Sequence, residues 1–258
     1  VPDTDGELPQ LFVLFHGGAF VAGNSRSRQA KFMYRYFRDH GYACASVNYR
    51  LAQEAPFPAA VQDCNAAVRF LKAHAAEYGF RAERVFAWGE SGGGYFAMLL
   101  ALSGEDFADL PFIGQDTLGN VSSHIDAVVD FYGLMDEVEV PAQRKILGIP
   151  DFVSDIAGSW ATKYTKDYKT ISSYFFRRNV TEMTQEEHDR AFPAGYFGRT
   201  AEGPLDIYIV HGDCDIMVPY LQSAEAAEAL TRMLGEEHVT FRLIPKMGHA
   251  SDPLYDPE

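Results

Sequence analysis

A serine among glycines, Gly89-Glu90-Ser91-Gly92-Gly93, stands between a run of strand formers, Arg84-Val85-Phe86-Ala87-Trp88, and an apolar helical pattern from Tyr95 to Leu102. G-x-S-x-G at a strand-to-helix turn lifts a hydroxyl above the end of a sheet and places it at a helix N-terminus, whose amides attract an anion. The chemistry this suits is acyl transfer. A hydroxyl is a weak nucleophile near neutral pH, so it needs a base, and the base needs a carboxylate to orient it. Both follow in the order serine, acid, histidine. The strand pattern Leu205–Val210 runs into His211-Gly212-Asp213-Cys214-Asp215, and the pattern Val239–Ile244 runs into Pro245-Lys246-Met247-Gly248-His249. An acid and a histidine thus follow the C-terminal ends of successive strands, the edge where open α/β sheets gather their reacting groups. Asp213 and Asp215 are both candidates for the acid. His249 is the candidate base.

A second glycine pair lies upstream. Leu11-Phe12-Val13-Leu14-Phe15 reads as a buried strand that runs into His16-Gly17-Gly18-Ala19-Phe20. Glycines after a strand let the backbone turn its N–H groups toward a neighbouring site. The N–H groups of Gly17 and Gly18, with that of Gly92 after the nucleophile, could hold the oxyanion of a tetrahedral acyl intermediate, and losing one such donor typically costs about 10²–10³ in rate. His16 is read as shaping this loop and His211 as serving the turn beside the acid. His40, His74, His124, His188 and His238 fall on helices or connections, as surface or packing residues.

The elements that must position these groups alternate. After the first strand comes a helix through Gln29–His40, closed by Gly41. Tyr42–Tyr49 is the second strand, and Ala59–Tyr78 reads as one long helix. The elbow strand and its helix follow, then a strand at Ala127–Phe131, a helix at Val218–Leu234 and the strand before His249. Such alternation predicts an α/β fold, a mostly parallel sheet flanked by helices on both faces.

These motifs, together with Val47-Asn48-Tyr49-Arg50-Leu51-Ala52, Pro56-Phe57-Pro58-Ala59-Ala60 and Asp63, resemble the serine esterases of the α/β-hydrolase superfamily. Within it the chain is similar to hormone-sensitive-lipase-like esterases and to bacterial acetyl-xylan and feruloyl esterases, from about Leu11 to His249. The resemblance implies a Ser91, Asp215, His249 triad: Asp215 precedes the Val-Pro that starts the next helix, as in those esterases, and Asp213 is left to cap the turn. It implies an oxyanion hole of Gly17, Gly18 and Gly92, and no cofactor or metal. Three departures stand out, the first being Gly93, two places after the serine, where hormone-sensitive-lipase-like esterases usually carry Ala. Glu90 occupies a place where hormone-sensitive-lipase-like esterases usually carry Asp, and Ala19 one where they often carry a third glycine. The acid loop looks closer to polysaccharide-associated esterases.

With 258 residues, 47% of them hydrophobic, the chain can bury one large core, so residues 1–258 are read as a single domain. No apolar run approaches the roughly 20 residues of a membrane span. A net charge of −14 argues against nucleic acid as a partner and suits neutral esters, small or glycan-linked. Homo-oligomerisation is left open. A cytoplasmic location is favoured, with secretion left open because the start of the chain carries little information about a leader. Cys44, Cys64 and Cys214 show no metal or disulfide spacing and are read as small core residues. About ten residues precede the first strand and about nine follow His249, fewer than the resemblance leads one to expect at either end.

Between Tyr132 and Pro204 the chain spends about seventy residues where a short crossover would serve. Residues 136–203 are read as a cap-like insertion over the serine. Thr184-Gln185-Glu186-Glu187 is a capping box within it. Its aromatics, Trp160, Tyr164, Tyr168, Tyr174, Phe175, Phe176, Phe192, Tyr196 and Phe197, either wall the substrate or hold the insertion on the core. Lys163, Lys166, Lys169, Arg177 and Arg178 are read as a solvated face. Phe20, Glu90 and Tyr132 are the expected substrate contacts, with short acyl groups preferred. Two other readings share these residues: an amidase or peptidase, and a catalytically silent binding protein of the same fold. The complete set of Ser91, Asp215 and His249 argues against the latter.

Overall fold

The computed structural model of the protein describes residues 6–108, 118, 120–150, 168, 170–199 and 203–251. Alternation in the first strand, β1 (Gln10–Phe15), sends Leu11, Val13 and Phe15 into one core and Phe12 and Leu14 into another. The same period of two runs through β3 (Arg81–Glu90), where Val85 and Ala87 face the first core and Trp88 the second, and through β5 (Asp206–Gly212), where Ile207 and Ile209 oppose Val210. With β2 (Ala43–Val47), β4 (Ala127–Phe131) and β6 (Val239–Ile244) these form one sheet in the order β2-β1-β3-β4-β5-β6. Every described pair is parallel, in keeping with the mostly parallel sheet that the alternation predicts.

Helix α1 (Arg28–Asp39) covers the second core with Met33 and Phe37, and Phe37 stacks on Phe12 at 3.8 Å between ring centroids. The Ser27 side chain caps it, accepting from the Ala30 N–H, and Gly41 follows its end at φ 86°. The first core lies under α2 (Ala59–Ala73), α4 (Gly92–Ser103) and the later helix Leu221–Leu234. Residues 59–78 do not form one helix. α2 stops at His74, whose Nδ1 lies 2.8 Å from Phe70 O, the same carbonyl that accepts from its backbone N–H at 3.1 Å, and a short α3 (Ala75–Tyr78) follows.

Among the described residues of 136–203, three α-helices are present, α5 (Val140–Leu147), α6 (Ile171–Phe176) and α7 (Gln185–Ala191), with short 3-10 turns at Val180–Glu182 and Pro193–Tyr196. α7 opens on the capping box read from the sequence, with Thr184 and Glu187 bonding each other's backbone N–H. The segment is bound to the sheet by buried aromatics. Phe175 and Phe192 are fully buried and Tyr196 nearly so, Phe175 stacks on Phe20 at 4.4 Å, and Tyr95 Oη donates to Ala191 O at 2.6 Å. These three rings hold the segment on the core. Trp160, Lys163, Tyr164, Lys166 and Lys169 lie outside the described residues. Arg178 pairs with Glu187, and the Arg177 guanidinium lies over Tyr174 while donating to Ala52 O at 2.6 Å.

α5 docks on α8 (Leu221–Leu234) through buried amides. Gln222 Oε1 accepts from the N–H groups of Met135 and Asp136 at 2.8 and 2.7 Å. Its Nε2 donates to Asp136 O and to Gln143 Oε1, and Gln143 in turn donates to Glu225. α8 begins at Leu221, three residues later than the sequence pattern suggests, because Val218 is held in the acid loop. Of the cysteines, Cys64 is buried and Cys44 half-buried, but Cys214 is exposed, because Asp215 takes the inward place in that loop.

Candidate active site

Ser91 sits between β3 and α4 with φ 51° and ψ −120°, a conformation that costs a side-chain-bearing residue on the order of 1–3 kcal/mol. The surroundings hold it there. Its N–H donates to Phe131 O on the neighbouring strand at 2.9 Å, and its carbonyl accepts from Tyr95 N at 3.0 Å. The glycines allow the close approach this needs. A Cβ on Gly89 would strike Gly93 O, one on Gly93 would strike Phe15 O, and one on Gly94 would strike the Asp130 carboxylate. The spacing of small residues in the elbow is therefore set by packing against β1 and β4.

His249 and Asp215 arrive from β6 and β5. His249 Nε2 is 3.1 Å from Ser91 Oγ, and its Nδ1 is 2.7 Å from Asp215 Oδ2. An acceptor at Nδ1 puts the ring proton there and leaves the Nε2 lone pair toward the serine. Asp215 is buried, and its Oδ1 accepts from the N–H groups of Met217 and Val218 at 2.8 and 2.9 Å. Burial works against its charge, but hydrogen bonds from His211 and His249 outweigh it and hold the carboxyl well below the usual carboxylate range. Asp213, by contrast, is exposed and accepts from Lys246 N at 2.6 Å, which makes it a turn residue.

His211 does more than the sequence suggests. It is fully buried, with Nε2 2.9 Å from Val218 O and 3.2 Å from Asp215 Oδ2. Both neighbours are acceptors, so Nε2 must carry the proton. Nδ1, 2.7 Å from Ser223 Oγ, then accepts from the serine. The acid is gripped by two imidazoles. The motif H-G-D-C-D places His211 four residues before Asp215, the one signal in the sequence that could have revealed this contact.

The loop after β1 lies against the elbow. A Cβ on Gly17 would come within 3.0 Å of Glu90 O, and one on Gly92 within 3.5 Å of Phe20 N. Gly18 has φ 122°, and a Cβ there would strike Ala22 O; Ala19 and Phe20 follow at φ 50° and 67°. No acceptor among the described residues takes the N–H of Gly17, Gly18 or Gly92. The loop is braced from beneath. Tyr49 Oη donates to His16 O at 2.5 Å, and the Tyr49 ring stacks on His16 at 4.3 Å. Arg50 holds Asp63 with two donors at 2.8 Å. Burial pushes the His16 imidazole down, toward its neutral form, against the effect of its bond to Gly17 O.

The three expected substrate contacts all lie near the serine but turn inward. Phe20 is 4% exposed, Glu90 5% and Tyr132 0%. Phe20 joins the ring cluster of Tyr95, Phe96 and Phe175. Tyr132 Oη donates to Glu90 Oε2 at 2.8 Å, and the Tyr132 ring lies 4.6 Å from that of His249. Residues at strand ends under a packed loop present little surface. Among the described residues no cluster of His, Cys, Asp or Glu could hold a metal ion, and no helix is long and apolar enough to cross a membrane. A groove of about 590 Å³ between β2 and α2 is lined by residues such as Val47, Arg50 and Phe70 and includes none of Ser91, Asp215 or His249.

The model of the BD-FAE family matches residues 1–230. The probable carboxylic ester hydrolase LipM of Mycobacterium tuberculosis is 27% identical over 256 residues, covering 98% of this chain and 52% of LipM. Esterase LipC of the same organism is 25% identical, covering 95% of this chain and 53% of LipC. The chain thus spans about half the length of these relatives. Among solved structures, a bifunctional GH43-CE protein of Bacteroides eggerthii superposes with TM-score 0.73 at 24% identity, covering 99% of this chain and 34% of that one. The propionate-bound esterase Est2 of Thermogutta terrifontis gives 0.66 at 20% identity, covering 96% of this chain and 76% of that one. The shared fold is that of α/β-hydrolases.

Proposed function

Because the chain belongs to the BD-FAE family, we propose that it is a serine carboxylesterase that cleaves short-chain or carbohydrate-linked esters through an acyl-enzyme. The observation that carries this reading is the hydrogen-bonded series from Ser91 Oγ through His249 to Asp215, with distances of 3.1 and 2.7 Å. Ester hydrolase relatives that cover nearly the whole chain support it.

In this mechanism Ser91 Oγ attacks the ester carbonyl and passes its proton to His249 Nε2. Asp215 stabilises the imidazolium that forms and keeps its tautomer. The oxyanion rests on the N–H groups of Gly17, Gly18 and Gly92, which have no acceptor among the described residues. Collapse of the tetrahedral intermediate breaks the C–O bond, and His249 returns the proton to the leaving alkoxide. Water, deprotonated by His249, then attacks the acyl-serine and releases the acid. Residues 1–258 act as one hydrolase domain, and 136–203 form a cap that leaves limited depth above the serine. Acetyl to butyryl groups are then preferred, and the net charge of −14 favours neutral esters.

Steady-state hydrolysis of p-nitrophenyl esters of rising chain length, beside acetylated xylan, methyl ferulate and a matching amide, tests the reading. Ser91→Ala should lower kcat by on the order of 10⁴-fold or more while the fold stays intact. Wild-type turnover in that variant would reject Ser91 as nucleophile. Gly18→Pro deletes a donor outright and should lower kcat more than it changes KM; an unaltered kcat would remove Gly18 from the oxyanion hole. A larger kcat/KM for the palmitoyl than for the acetyl ester would make this a deep-channel lipase, and faster cleavage of the amide would make it an amidase.

A further inference from the structure

We propose that Tyr132 and Glu90 are a positioning pair that sets the ring of His249 and supports the Gly17 loop, an inference that rests on the esterase reading above. Glu90 ends β3 and directly precedes Ser91. Its register partner across the sheet is Phe131, so Tyr132 begins one residue beyond it on the adjacent strand. Tyr132 continues the β4–β5 ladder by one residue beyond the Phe131–Val210 register pair. Tyr132 adopts φ 45°, and its N–H donates to Val210 O on β5 at 2.9 Å. A tyrosine with positive φ is uncommon and is kept only where its surroundings require it.

Two contacts supply that requirement. The phenol donates to Glu90 Oε2 at 2.8 Å, and the ring lies 4.6 Å from the His249 ring at 59° between planes. The pair therefore reaches three parts of the proposed machinery. Tyr132 backs the imidazole on a face that neither Ser91 nor Asp215 controls. Those two fix His249 at its nitrogens, which leaves rotation about the line between them to whatever packs on the ring. Glu90 is part of the elbow itself. Its Cγ and Cδ lie 3.2 and 3.3 Å from where a Cβ on Gly17 would stand, so the same side chain forms the floor of the loop. Neither residue has the exposure of a substrate wall. The phenol–carboxylate bond ties the imidazole and the oxyanion loop to one another, so a displacement of either is transmitted to the other.

The test uses the full chain, p-nitrophenyl acetate, and active-site titration, so that kcat is expressed per competent site. Tyr132→Phe keeps the ring and removes the tether. It should lower kcat about tenfold, the value of one buried hydrogen bond to a charged group, with KM within about twofold. Glu90→Leu removes the acceptor and should cause a similar loss, Glu90→Gln a smaller one because its amide oxygen still accepts. The double variant Tyr132→Phe, Glu90→Leu should be no worse than either single one, because both remove the same bond. An additive double variant, or a kcat per titrated site within twofold of wild type in Tyr132→Phe, would overturn the pair. So would a raised KM at unchanged kcat, which marks a substrate contact. If Tyr132→Phe fails to fold, Glu90→Leu against Glu90→Gln decides by the same criteria. A second arm measures the rate at which a p-nitrophenyl alkylphosphonate labels Ser91, which needs no ester turnover. Wild type that is labelled but hydrolyses no ester would reject the esterase reading alone, and the labelling rates of the variants would still decide the pair. Wild type that is not labelled would reject both.

Discussion

Asp215 Oδ2 faces two imidazoles, His249 Nδ1 at 2.7 Å and His211 Nε2 at 3.2 Å, while Oδ1 takes two backbone N–H groups. Every contact of this carboxylate is an acceptor contact. Asp215→Asn would force an NH₂ group against a donor at one of these points and turn the base or the loop. We expect kcat to fall by about 10³–10⁴, the scale seen when a triad acid loses its charge in serine proteases. Asp213→Asn keeps the oxygen that accepts from Lys246 N and should leave kcat within about twofold, since exposed positions away from the site carry little. Steady-state kinetics of both variants on one ester checks this, and the reverse order would move the acid to Asp213. Both acids were visible in the sequence at the same strand end. Burial separates them, and burial depends on β6 and His249 closing over Asp215, which lie some thirty residues further along the chain.

At the scale of elements, the elbow is a contact between α4 and the ends of β1 and β4. Gly93→Ala places a Cβ against Phe15 O and His16 O, and backbone atoms cannot rotate away as side chains do. The variant should lose activity and several degrees of Tm together, by thermal unfolding and ester turnover; a wild-type Tm would show that α4 can slide. The junction of α5 and α8 makes a separate prediction. Gln222→Leu strands the N–H groups of Met135 and Asp136 in a buried place, at a cost of roughly 2–4 kcal/mol in denaturant unfolding. Loss below 0.5 kcal/mol would mean that water replaces the amide. Strand positions were legible because alternation is local. The break at His74 and the late start of α8 were not, because each goes with a particular side-chain contact, His74 Nδ1 with Phe70 O and the Val218 N–H with Asp215 Oδ1, that no periodic pattern encodes.

For the molecule as a whole, the balance of buried charge predicts a pH response. Asp130 is fully buried at the end of β4, and burial pushes its carboxyl from 3.8 up to about 8, against the lowering effect of the Gly133 N–H. Its folded value lies above the unfolded one, so the fold favours the protonated form. The stability it contributes is complete below about pH 4 and is lost as pH rises through about 8. Asp130→Asn keeps an oxygen for Gly133 and cannot ionise. The Tm difference, variant minus wild type, should therefore grow more positive between pH 5 and pH 9. A difference that stays flat across that range would show that Asp130 is charged throughout in the fold.

The sequence by itself determined the strand and helix order, the parallel α/β class, the serine elbow and the succession of an acid and a histidine after it. These are written in period-two alternation, in glycine spacing and in position relative to strand ends, all of which are properties of neighbouring residues. Only the tertiary structure decided which way side chains at the strand ends turn. Phe20, Glu90 and Tyr132 stand beside the serine as expected, yet Phe175 stacks on the first and the other two bond each other, so all three face inward. The insertion's Phe175, Phe192 and Tyr196 likewise serve the core. Whether an aromatic ring is a wall or a filler depends on what packs over it, and those partners are distant in the chain: Phe20 meets Phe175, and Tyr132 meets His249. No local pattern encodes a contact of that range, and for that reason the candidate groups could be proposed from the sequence while their packing could not.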